Sequence, residues 1–176
     1  YGGMRTTRGL VVYVAAEGGN GARKRLAALR EKFPTTDVDF LLLASSVDLR
    51  NPKADTVPLC EALRGLGRPV ALLVIDTLSR ALAGGDENSP VHMGALVKHF
   101  DVIRKACSPA HLMAVHHTGK DKARGARGHT LLRAATDTEL EVAENVITAT
   151  KQRDMDKSWS SGFSLTVHKL GLDADG

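Results

Sequence analysis

Three largely apolar runs in this chain each end on a side chain able to do chemistry. Leu10 to Ala15 runs into Ala16-Glu17, Val70 to Ile75 into Asp76-Thr77, and a strand from His111 to His117 ends on His116-His117. If the three are parallel strands of one sheet, Glu17, Asp76 and His117 share the edge where open α/β sheets form their ligand crevice. Such a set suits hydrolysis of a nucleoside triphosphate. One carboxylate holds Mg²⁺, directly or through water; a second orients or deprotonates the attacking water; a donor senses the γ-phosphate. Asp76 with Thr77 fits the metal role, Glu17 the base and His117 the sensor.

Each residue also has a plainer reading. Glu17 is a polar residue of the kind that ends many strands, and His116 and His117 are explained as one buried and one exposed histidine. Adjacent strand residues face opposite sides, so at most one of the two points at a ligand. A metal site built on the histidine pair is disfavoured, because no acid or cysteine stands at ligand spacing from them.

The elements that must carry these residues follow from the apolar pattern. Val70 to Thr77 reads as a strand buried on both faces at the centre of a parallel sheet. After Glu17, Gly18-Gly19-Asn20-Gly21 makes a turn in which Asn20 can cap a helix with Ala22, Leu26, Leu29 and Phe33 on one face, stopped by Pro34. Val38 to Ala44 is a further strand, and a short helix spans about Thr56 to Arg64. A polar loop, Ser79 to Ser89, leads to Ser89-Pro90, which caps and opens a helix over about Val91 to Ala106 with Met93, Leu96, Phe100, Ile103 and Cys107 as its stripe. Beyond Arg133 the period shortens: Thr138 to Glu144, Val146 to Lys151 and Gly162 to Leu170 alternate as strands, with Asp154 to Ser161 as a turn. Strand and helix alternate and a hairpin follows, the pattern of an α/β fold with a mixed edge.

The 176 residues suit one domain with a real core, and 43% hydrophobic with 25% charged residues excludes a disordered chain. Cys60 and Cys107 fall on apolar helix faces and read as reduced core thiols. No apolar run approaches the ~18 residues of a membrane span, so the expectation is a soluble, cytoplasmic protein. The formal net charge of +4 is mild, but its distribution is not: Lys120, Lys122, Arg124, Arg127 and Arg133 stand in one stretch against Asp121 alone. Such a glycine-containing loop is either a polyanion contact or a solvated surface.

The ordered set Val12-Tyr13-Val14-Ala15-Ala16-Glu17, Leu73-Val74-Ile75-Asp76-Thr77-Leu78, Val115-His116-His117-Thr118-Gly119-Lys120 and Ala126-Arg127-Gly128 resembles the RecA-like ATPase core of RepA-type hexameric replicative DNA helicases of plasmids and phages. Thr150-Lys151-Gln152-Arg153 resembles the Lys-x-Arg element that related ring helicases insert into a neighbouring subunit's ATP site. The resemblance covers about Val11 to Leu170. It implies a RecA-like P-loop NTPase core with a mostly parallel sheet, helices on both faces and a C-terminal antiparallel hairpin. It further implies ATP and Mg²⁺ as ligands, Glu17 as catalytic glutamate, Asp76 as the Mg²⁺-linked Walker B aspartate and His117 as γ-phosphate sensor. Lys151 and Arg153 would act in trans, within a homo-oligomeric ring. Lys120, Lys122, Arg124 and Arg127 would contact single-stranded DNA phosphates in its channel. The loop lacks the aromatic residues that stack bases.

One part of the pattern is missing from these residues. No G-x-x-x-x-G-K-[ST] occurs; the nearest run, Gly18 to Arg25, has no Gly-Lys pair and places Arg25 where a Mg²⁺-binding hydroxyl belongs. The family's phosphate loop, with its strand and helix, is expected upstream of Tyr1. The chain therefore reads as a single RecA-like domain truncated at its N-terminus and inactive by itself. In such sheets the missing strand lies between the His117 and Thr138 strands. The expectation is a gapped or rearranged sheet, or an oligomer that closes it.

Overall fold

The computed structural model describes residues 5–34, 38–107, 109–117, 129–156 and 159–171. Its elements are β1 (Leu10–Ala15), α1 (Asn20–Lys32), β2 (Phe40–Leu43), a π-helical turn (Pro52–Thr56), α2 (Val57–Gly65), β3 (Val70–Asp76), α3 (Leu78–Ala81), α4 (Pro90–Ala106), β4 (His111–Val115), α5 (His129–Ala135), β5 (Thr138–Ala143), β6 (Val146–Gln152) and β7 (Ser160–Gly162). Strands β2-β1-β3-β4 form one sheet, parallel throughout, and β5-β6-β7 form a second, antiparallel one. The parallel sheet stops at β4. The sheet is not continuous into β5, as the expectation of a gapped or rearranged sheet requires.

The pleat sorts the central strands into two faces. Val12 and Val14 of β1 stand level with Leu73 and Ile75 of β3, and these pack with Leu59, Leu63, Met93, Leu96, Phe100 and Ile103 from α2 and α4 into the main core. Every residue of the expected α4 stripe, Cys107 included, is buried. Ser89 caps that helix by accepting from His92 N at 3.4 Å. The opposite face carries Tyr13 and, on β2, Phe40, with their rings 6.1 Å apart, and α1 covers it. Cys60 and Cys107 are free, buried thiols, and burial pushes the pKa of both upward.

Four local expectations are corrected. Asn20 is the first residue of α1, not its cap; Gly19 holds the cap position and no side chain bonds there. The reason is packing: Gly18 turns the chain at φ +98°, and a Cβ on Gly19 would lie 2.2 Å from that of Ala44. The α1 stripe is buried only at its start: β2 beneath it is a four-residue edge strand, and Leu29 is 53% and Phe33 57% exposed. The stretch Gly162 to Leu170 is a strand only at Gly162. Val146, its partner, begins β6 just after the Glu144-Asn145 turn, so a chain continuing past Gly162 runs off the end of the sheet. Leu165 and Val167 are accordingly 84% and 91% exposed. Finally, α3 and α5 are helices where the sequence suggests loops. Among the described residues no helix is long and apolar enough to cross a membrane.

Candidate active site

Adjacent parallel strands deliver the first two residues together. Ala15 pairs with Asp76, and Asp76 with Val115, so the C-terminal ends of β1, β3 and β4 form one row. Ala15 and Val115 thus stand two strand spacings apart, roughly 10 Å. The backbone extends the row, Ala16 N donating to Asp76 O at 2.7 Å. Beyond the row, Ala16-Glu17 form a turn that Gly18 N closes on Ala15 O at 3.2 Å, and His116-His117 follow the last residue of β4. His117 is exposed at its tip, and His116 is half-buried.

Glu17 and Thr77 are in direct contact. The Thr77 hydroxyl, on a residue only 2% exposed, donates to Glu17 Oε1 at 3.1 Å. Arg80 of α3 places its Nε 3.7 Å from the same oxygen. The side chains of both Arg80 and Glu17 are at least half exposed, so this pair is screened and orients more than it stabilises. The Asp76–Thr77 peptide is cis. Asp76 accepts a hydrogen bond at Oδ2 from the Tyr13 hydroxyl, two residues down on the same face of β1. Burial, then the hydrogen bond to Asp76 and its charge, push the Tyr13 pKa up to about 12, against the opposing pull of Arg25.

Residues 2–123 match a family model described as an AAA domain. The chain belongs to the AAA domain family. A search of the curated proteins returns no match. The AAA domain is a nucleotide-binding domain of the ATPase type, with the RecA-like α/β fold seen here. Such domains generally bind ATP with Mg²⁺, and the donors on this row fit that ion, since Asp76, Glu17 and Thr77 offer only hard oxygen ligands. Mg²⁺ in such sites is held by one or two carboxylates with water and phosphate oxygens. Among the described residues no group of three or more His, Cys, Asp or Glu could hold a metal.

The other expected site residues lie elsewhere. Lys151 and Arg153, on and just beyond β6, finish α5: Lys151 Nζ donates to the carbonyls of Arg133 and of Thr136, the latter at 2.6 Å. The Arg153 guanidinium lies 2.6 Å from Asp137 and donates to Ala134 O at 3.4 Å. Cations on the last carbonyls of a helix complement its dipole. Lys120, Lys122, Arg124 and Arg127 lie outside the described residues. Sequence reasoning missed Tyr13, Arg25 and Arg80. Tyr13 had one usable signal, its alternation with the core residues Val12 and Val14, which puts the phenol on the opposite face of β1.

Proposed function

We propose that this AAA domain is the ATP-hydrolysing core of a RepA-type replicative DNA helicase acting on plasmid or phage DNA as a homo-oligomeric ring. The observation that carries the reading is the shared row of Glu17, Asp76 and His117 on three neighbouring strand ends, with Glu17 already oriented by Thr77. Bound Mg²⁺ would neutralise the charge on the transferring phosphoryl group, and Asp76 would hold it together with water and phosphate oxygens. Glu17 accepts a proton from, or aligns, the attacking water at the oxygen that Thr77 leaves open. Thr77 fixes the rotamer of that base. His117 supplies an N–H to the γ-phosphate end of the crevice. Lys120, Lys122, Arg124 and Arg127 contact phosphates of single-stranded DNA, and Lys151 and Arg153 serve a neighbouring subunit's site.

The test is ATP hydrolysis by the full-length gene product, with and without single-stranded DNA. Glu17→Gln is expected to abolish turnover and retain ATP binding. Unchanged turnover removes Glu17 from the mechanism.

A second reading is a RecA-like module that binds partner subunits or nucleic acid without turnover. It is favoured by the engagement of Lys151 and Arg153 with α5 of their own chain. It predicts that Glu17→Gln changes nothing and that Lys151 or Arg153 variants affect stability alone.

A further inference from the structure

The hydroxyl of Tyr13 occupies one oxygen of Asp76, and nothing in the ATPase reading so far uses it. The phenol comes from β1, Asp76 from β3, and the two meet across the strand pair on the face covered by α1. The ring is anchored independently of its hydroxyl, against Phe40 at 6.1 Å, and in a groove it shares with Ala22, Arg25, Leu26 and Leu29. Arg25 of α1 lines the same groove and its charge opposes the rise in the Tyr13 pKa.

From this geometry we infer that Tyr13 is a positioning residue for Asp76: by taking Oδ2 it fixes the carboxylate rotamer so that Oδ1 faces the crevice and a metal-bound water. The inference rests on the reading of Asp76 as the Mg²⁺-linked carboxylate. A carboxylate that lacks such a partner swings among rotamers and binds its ion less tightly, and loss of an outer partner of this kind weakens metal affinity by about tenfold or more.

One measurement on wild type, Tyr13→Phe and Asp76→Asn tests it. The phenylalanine keeps the ring packing and removes only the hydroxyl. The measurement is Mn²⁺ affinity of the full-length product in the presence of ATP, read from the free-ion electron paramagnetic resonance signal against the same ATP without protein. Tyr13→Phe is expected to weaken Mn²⁺ binding about tenfold. Wild-type Mn²⁺ affinity in Tyr13→Phe, with Asp76→Asn impaired, overturns the positioning role and leaves the ATPase reading standing. Wild-type affinity in Asp76→Asn, or no Mn²⁺ binding by wild type beyond that of ATP alone, overturns the metal role of Asp76 and the inference with it.

Discussion

Thr77 Oγ1 donates to Glu17 Oε1 at 3.1 Å, joining residues sixty positions apart at the ends of neighbouring strands. A hydrogen bond to a charged acceptor is worth about 1.5–3 kcal/mol. Thr77→Val keeps the shape of the buried side chain and removes the donor. It is expected to lower ATP turnover at least about tenfold, with ATP affinity unchanged; Thr77→Ser is expected to restore most of it. Turnover equal to wild type in Thr77→Val means the contact does not orient the base.

Tyr13 sets a pH window. Its ionisation is raised from 10.0 to about 12 in the folded state, so folding favours the neutral phenol. The stabilisation is complete below pH 10, declines as pH rises through the interval between the two values, and is gone above about 12. Thermal unfolding from pH 9 to 12 is expected to fall more steeply in wild type than in Tyr13→Phe. Parallel curves contradict the shift.

Lys151 and Arg153 make separable predictions. As caps of α5, they stabilise its last turn, and Lys151→Met is expected to lose about 1 kcal/mol, seen in urea unfolding. If Arg153 also reaches a neighbour's ATP site, Arg153→Ala loses turnover, and mixing it with Glu17→Gln subunits partly restores it, since a mixed interface joins one intact base to one intact arginine. No recovery on mixing assigns Arg153 to its own chain.

The basic loop is tested by salt. Replacing Lys120, Lys122, Arg124 and Arg127 together by alanine is expected to weaken single-stranded DNA binding and to flatten the dependence of log affinity on log salt by up to about 3, at about 0.7 per phosphate contact. An unchanged slope makes the loop a solvated surface.

Much of this molecule was readable from local pattern. The strands leading to Glu17 and Asp76 and the α4 stripe follow from β-branched runs and helical spacing, whose core-facing residues are buried. What stayed hidden depends on partners distant in sequence. Leu165 and Val167 alternate like strand residues, but among the described residues no strand pairs with them. α5 is seven residues long, and its closing contacts come from Lys151 and Arg153 on the hairpin. The Tyr13–Asp76 bond required the register of β1 on β3, which neither run contains by itself. Gly19 was legible as a turn but not as the close approach to Ala44 that forbids a side chain there.

The central claim is that Glu17, Asp76 with Thr77, and His117 surround one triphosphate. Paramagnetic broadening by Mn²⁺ with ATP, read residue by residue in the amide spectrum of the full-length product, tests it most directly. The account predicts that the signals of Glu17, Thr77 and His117 broaden together, and that Asp76→Asn abolishes all three effects. Broadening centred elsewhere, or confined to one of the three strand ends, contradicts it.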